Sequence, residues 1–392
     1  MDRLDSPIRA YAWGSRTVIA TVQGRGAPTE QPEAELWLGA HPAAPSRLLR
    51  DGRERTLVEV VEADPDAELG AAVAAEHGPQ LPFLLKLLAA DEPLSIQAHP
   101  DAGQARSGFA AEEAAGIPRD DPRRNYVDPN HKPELLCAVR EFEVLCGFRD
   151  PAQTLAIVDR LDAPMLAAAV APLRARPDAE GLRATVTGLF ALGDTHREKL
   201  VAQVLGASRD QPGEPYATVV ELAERCPGDI GVVVALLLNR VRLAPGEAIF
   251  VAAGVPHAYL RGVGIELLAS SDNVVRGGLT PKHVDAAELL RLLRFAPGEV
   301  RPLEPEEPAP GVRVWRPPVR EFALTRVELD SGSQLVELPA DGPRILFCLS
   351  GDVRAENRHG ALTLSSGDAV FVPAGRTVTA SGTGVLFQAT TG

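Results

Sequence analysis

The chain has 392 residues, enough for two or three domains, with 45% apolar and 24% charged residues, as in an ordinary globular protein. Its net charge of −13 argues against nucleic acid as a partner, because phosphate backbones are held by clustered Lys and Arg. A small phosphorylated ligand stays open, since it needs only a few local cations.

The first residues, Met1 to Pro7, carry no apolar signal core, and no run is long enough to cross a bilayer. Cys137, Cys146, Cys226 and Cys348 form no CxxC pair and read as buried thiols of a reducing compartment. A soluble, cytoplasmic protein is expected, with no membrane partner.

Residues 5–50 read as short strands broken by turns, with Trp13 and Trp37 as core aromatics carrying a polar tip. Residues 57–77 have helical spacing through Leu57, Val60 and Val61. Leu81 to Leu88 is an apolar run of strand length with Lys86 inside it, either snorkelling or meeting an anion. Next comes Pro93-Leu-Ser-Ile-Gln-Ala-His-Pro-Asp101, which as a strand turns Leu94, Ile96 and Ala98 to a core and aligns Ser95, Gln97 and His99 on the other face. Residues 101–125 are polar and loop- or helix-like, and Asn130-His-Lys-Pro-Glu134 leads into strands through Cys137 and Phe148.

Residues 151–229 change texture: Leu182, Val186 and Leu189 recur at helical spacing, so a helical insertion without catalytic motifs is expected. Strands resume near residue 243, and a short helix is expected through Leu293. Pro302 to Pro310 reads as a Pro/Glu-rich linker, and residues 312–392 as a β-domain. That domain holds an internal repeat: Ser366-Gly-Asp-Ala-Val-Phe-Val-Pro-Ala-Gly375 echoes Pro245-Gly-Glu-Ala-Ile-Phe-Val-Ala-Ala-Gly254. Where the first copy continues to His257, the second has Val378. Two similar barrels are expected, the first equipped for a metal and the second not.

Gln97, His99, Glu134 and His257 form a plausible ligand set, because zinc takes His nitrogen and carboxylate oxygen and leaves a position open when catalytic. Two His and one carboxylate equally describe a non-haem iron site. Lys132, Arg276, Lys282, Ser95 and Lys86 lie in or near the ligand-bearing segments, and a substrate bearing phosphate would explain them.

With these motifs assembled, the chain resembles type I phosphomannose isomerases. The likeness runs over residues 8–290, through Tyr11 to Ser15, Glu35 to Gly39, Pro93 to Asp101, Tyr126 to Glu134, Pro245 to Tyr259 and Glu266 to Lys282; the C-terminal segment matches only loosely. It implies a mainly β protein: a catalytic cupin-type barrel (double-stranded β-helix) from residues 1–150 and 230–300, the helical insertion, and a C-terminal cupin-like domain. It also implies one zinc ion per chain on Gln97, His99, Glu134 and His257, and an Arg at position 276 that matters for catalysis.

The reaction implied is the interconversion of mannose 6-phosphate and fructose 6-phosphate, a proton transfer between carbons 1 and 2 through a cis-enediol. Lys132 could act as base if the metal and Arg276 favour its neutral form, and Glu266 is the competing base. Arg276 suits the enediolate charge, and His131 could assist ring opening. Phosphate would meet Ser95, Lys86 and Lys282. The rivals are a sugar-binding barrel that keeps the metal for structure and an iron-dependent oxygenase. A monomer is expected.

Overall fold

The strand Phe83–Ala90 explains the architecture, because both of its faces are buried. Phe83, Leu85, Leu87 and Ala89 turn to one core, while Leu88 and Ala90 turn to another. Strands covered on both sides read as continuous apolar runs, which is how this one looks in the sequence. It pairs antiparallel with Glu35–Gly39 on one edge and His257–Ala269 on the other.

The computed structural model describes residues 1–330, 335–338 and 341–392. Residues 331–334 and 339–340 of the expected C-terminal domain lie outside the described residues. The protein is mainly β with several helices. Among the described residues, one sheet of ten strands is drawn from the first 278 residues, and one of nine comes mostly from residues 306–390.

The two sheets share a core. Trp315, Phe322, Phe347, Phe371 and Phe387 pack with Leu36, Leu85, Leu135 and Ile265 from the first sheet. Burying each such aromatic contributes about 2 kcal/mol, so the C-terminal sheet is an apolar wall for the first.

Helices fill the expected insertion, from Pro151–Val158 to Glu214–Arg225, followed by Gly231–Val234. Leu166, Leu182, Val186, Leu200 and Val204 pack there against Ile96, Ala98, Ala258 and Val275. Those last four alternate with Gln97, His257 and Arg276 along their strands. The insertion thus grips the outer faces of the strands whose inner faces carry the polar residues.

The repeat is structural. Ala248–Val251 and Ala369–Val372 are both four-residue strands, entered through glycines of positive φ, Gly246 at 86° and Gly367 at 90°. Each is followed by a thirteen-residue strand, His257–Ala269 and Val378–Thr390, and those strands begin on the aligned residues. Val378 is buried in the apolar core of the C-terminal sheet.

Three expectations are corrected. The Pro302–Pro310 stretch is not only a linker: Glu306–Ala309 forms a fully exposed strand at the sheet edge, where prolines lose no interior ladder bond. Asp2–Leu4, expected in the catalytic barrel, pairs with the Ala369–Val372 strand instead. A short helix, Val18–Val22, interrupts the expected strands of residues 5–50, with Val18, Ile19 and Ala20 buried.

Candidate metal centre and active site

Three strands bring the candidate ligands together, and a fourth carries Arg276. Gln97 on Ile96–Ala98 stands opposite His257 on one neighbour and opposite Arg276 on the other. Glu134, at the start of its strand, stands opposite Val251 and Leu268. His99, Glu134 and His257 are buried, and their ligand atoms lie within 4.8 Å of one another; this is the three-ligand group found among the described residues.

The hydrogen bonds orient both imidazoles. His99 Nδ1 is 2.8 Å from the Asn273 carbonyl, and His257 Nδ1 is 3.0 Å from the Val255 carbonyl. A carbonyl can only accept, so each Nδ1 carries the proton and each Nε2 is left with a lone pair. These lone pairs face Glu134: His99 Nε2 is 3.1 Å from Oε1, and His257 Nε2 is 3.3 Å from Oε2. Burial pushes the His99 imidazole down to about 4, so it is neutral near pH 7. Despite the short distance, His99 Nε2 makes no hydrogen bond. Lone pairs and carboxylate oxygens converging in a dry site repel one another unless a cation sits among them. The donor set therefore fits a zinc ion.

The Gln97 amide lies 3.4 Å from His257 Nε2 through its nitrogen. A half-turn about its last bond presents the oxygen instead, making Gln97 available as a fourth ligand. Tyr259, two residues beyond His257, donates to Glu134 Oε2 at 3.4 Å. Burial, reinforced by Glu266 and Glu134, holds this phenol well above its usual range, so it stays protonated.

A line of charge continues from the cluster. Lys132 Nζ lies 3.0 Å from Glu134 Oε1. Burial works to raise the Glu134 carboxyl, yet Lys132 and His99 hold it well below the ordinary range. Beyond it, Lys86 lies 2.9 Å from Glu266 and 3.5 Å from Glu35. Burial alone would lower the Lys86 ammonium, but these carboxylates outweigh it and keep it charged. Glu266 is pushed up by burial, against the pull of Lys86.

Two of the expected site residues have protein partners. Lys86, expected to meet the substrate phosphate, stands beside two carboxylates. His131, expected to assist ring opening, has its Nε2 paired with Glu321 of the C-terminal segment at 2.6 Å. Arg276 is half-buried and, among the described residues, has neither ion pair nor side-chain hydrogen bond; burial pushes its guanidinium below its ordinary value. Lys282 is exposed nearby, close enough for its charge and that of Arg276 to repel. Ser95 is half-buried, two residues before Gln97 on the same alternation.

Sequence reasoning missed Glu35, Asn273 and the role of Trp37. Trp37 donates through Nε1 to Glu35 Oε2 at 2.7 Å, and Lys86 stands 5.0 Å from its ring centroid. Asn273 is fully buried and holds the 127–130 loop with five side-chain hydrogen bonds: its oxygen accepts from the backbone of Val127 and Asp128, and its nitrogen donates to the carbonyls of Asp128 and Asn130 and to Asp128 Oδ1. It thereby ties His99 to the loop before Lys132. An asparagine beside two strand segments was the available signal.

Family models describe the same chain. Residues 1–151 match the phosphomannose isomerase type I catalytic domain, and residues 316–356 match the phosphomannose isomerase type I C-terminal model. The mannose-6-phosphate isomerase of Salmonella typhimurium is 39% identical over 391 residues, 98% of each chain. The chain belongs to the type I phosphomannose isomerase family.

Membership extends beyond bacteria: mannose-6-phosphate isomerase 1 of Arabidopsis thaliana is 34% identical over 95% of this chain and 89% of its own. A zinc-bound structure of mannose 6-phosphate isomerase is 38% identical and superposes with a TM-score of 0.92, covering 100% of this chain and 99% of that one. The likeness therefore takes in the C-terminal segment, which by sequence motif alone matched loosely. No helix among the described residues is long and apolar enough to cross a membrane.

Proposed function

We infer that this protein is a zinc-dependent mannose-6-phosphate isomerase, interconverting mannose 6-phosphate and fructose 6-phosphate through a cis-enediol. The observation that carries the reading is the buried His99, Glu134 and His257 group with an unpaired guanidinium, Arg276, placed across Gln97 from His257. Bound zinc on Gln97, His99, Glu134 and His257 supplies Lewis-acid stabilisation for the oxygens on carbons 1 and 2. A site built only to hold a structural metal needs no such free cation beside it.

The chain's own residues do the rest. Arg276 meets the negative charge that develops on the enediolate, and because nothing among the described residues pairs with it, that charge is available to substrate. Lys132 and Glu266 are the groups placed to move the proton between carbons; burial raises Glu266 toward neutrality, which strengthens it as a base. Lys86, itself paired with Glu35, holds Glu266 in place. Ser95 and Lys282, toward the solvent side, are the groups for phosphate, with Lys86 withdrawn from that role.

The barrels are read as cupin-type double-stranded β-helices, supported by the repeated four- and thirteen-residue strand pair. The catalytic barrel takes residues 5–150 and 230–300, the helical insertion 151–229, and the metal-free cupin-like domain 306–392 with residues 2–4. Four free cysteines, three of them buried, support a reducing, cytoplasmic setting. Leu49 and Leu335 are the large exposed apolar side chains among the described residues and form no patch of interface size, which supports a monomer.

Turnover of mannose 6-phosphate in deuterium oxide tests the enediol route. Deuterium should appear at carbon 1 of fructose 6-phosphate. Complete conversion with no label in the product would count against an enediol whose proton-carrying base exchanges with water.

A further inference from the structure

The face of the first sheet that carries Lys86 holds a further cation. Arg9 ends the short strand Ile8–Arg9 and stands opposite Glu35, while Ile8 stands opposite Leu36. Leu36, with Ile8 packed against it, turns to the core between the sheets. Arg9 therefore shares the other face with Glu35 and Trp37. Lys86 stands opposite Trp37 on the next strand and joins that face.

The Arg9 guanidinium stands over two aromatic rings, 5.7 Å from the Tyr11 centroid and 5.2 Å from that of Trp37. The residue is half-buried, and among the described residues its side chain makes neither ion pair nor hydrogen bond. Glu35, the carboxylate across from it, is engaged by Trp37 Nε1 and by Lys86 instead. Rings thus hold the group while its five N–H donors stay free, and such a planar fork grips phosphate through two oxygens. Positioning in advance of binding lowers the entropy lost when the ligand arrives.

The same rings set Arg9 beside the catalytic groups. Lys86 Nζ lies 5.0 Å from the Trp37 centroid and 2.9 Å from Glu266. Arg9 is therefore no farther from Lys86 than the two ring distances laid end to end. A six-carbon sugar phosphate spans that gap, with its first two carbons by Glu266 and its far end by Arg9. On the other side Tyr11 stacks on Trp13 at 5.5 Å, and the Trp13 carbonyl accepts from Asp91 and Glu92, which lead to Ser95. His41, edge-on to Trp37 at 5.0 Å, feels the same cation. Burial lowers the His41 imidazole and Asp272 works against this, while Lys86, Lys132 and Arg9 add to the lowering. A phosphate monoester carries about −1.5 to −2 charges near pH 7. Ser95 brings no charge and Lys282 brings one, so a second cation completes the balance.

We propose that Arg9 is a substrate-binding residue that grips the phosphate of the sugar phosphate, alongside Ser95 and Lys282. The inference rests on the isomerase reading and adds to it a group that favours a phosphorylated sugar over a free one.

Calorimetry on the full-length, zinc-loaded protein tests this, with mannitol 1-phosphate, a reduced hexose phosphate that cannot isomerise, and inorganic phosphate titrated separately. Arg9→Gln should weaken binding of both by roughly tenfold or more. In steady-state kinetics on mannose 6-phosphate the loss should fall mainly on KM rather than kcat. Arg9→Lys keeps a charge over the rings without the fork, and should lie between the parent and Arg9→Gln. It also carries the test should Arg9→Gln not fold. Undiminished binding of mannitol 1-phosphate by the variants, or no binding of it by the parent, overturns the proposal. Weakened mannitol 1-phosphate binding with inorganic phosphate unaffected would put Arg9 on sugar hydroxyls, and a loss confined to kcat would put it at the reacting carbons. Either result also overturns it. Failure of the isomerase reading looks different, because the parent would then bind mannitol 1-phosphate yet convert no mannose 6-phosphate.

Discussion

Replacing His257 with alanine should strip the metal from the protein. His257 Nε2 is a lone-pair donor aimed at Glu134, and its Nδ1 is already committed to the Val255 carbonyl, so no other atom can replace it. Losing a residue that merely supports a ligand costs about 10–100-fold in metal affinity, and losing the ligand itself should cost more. His283→Ala is the control, because His283 is exposed and outside the cluster. Metal content of the purified, dialysed proteins, measured by mass spectrometry, should fall to near zero for His257→Ala and stay at one per chain for His283→Ala. Equal zinc in His257→Ala and the parent would remove His257 from the ligand set.

Arg276→Ala should lose roughly 10²-fold or more in kcat, a usual scale for lost electrostatic help, while the protein melts at or above the parent temperature. The structural reason is that Arg276 makes no side-chain hydrogen bond or ion pair among the described residues, so its removal relieves a burial cost rather than breaking a contact. Lys132→Ala should show a comparable fall in kcat, with metal content retained because Glu134 keeps its two imidazole neighbours. Steady-state kinetics beside thermal melts separate the possibilities. A normal kcat with only a raised KM would make the residue a binder. For Lys132 that outcome would leave Glu266 as the proton-transferring base.

What was legible in the chain follows from the range of the forces involved. Gln97 and His99 could be paired from alternation alone, because period two is a local property of a strand. Glu134, His257 and Arg276 are set by cross-strand register, which no local pattern encodes; the shared motifs of the family linked them instead. Lys86 shows the limit of that approach. Its position inside an apolar run marked it as unusual, but whether it faced a substrate anion or a protein carboxylate depended on Glu35 and Glu266, on two other strands. The partner of His131 was hidden for the same reason, since Glu321 reaches it from the C-terminal segment.

The fold was legible wherever pattern and burial agreed. The helical segment announced itself by its spacing, and the repeated strand pair by matching residues at matching positions. Glu306–Ala309 was hidden because Pro305, Pro308 and Pro310 carry the signature of a linker, and only its place at a sheet edge lets a strand tolerate them.

The most direct test of the zinc-dependent isomerase assignment is a coupled assay of the purified protein on mannose 6-phosphate, run as isolated, after chelation, and after zinc is returned. Fructose 6-phosphate should form, cease to form on chelation, and form again at the original rate once one equivalent of zinc per chain is restored. Undiminished turnover by protein shown to be metal-free would contradict the account.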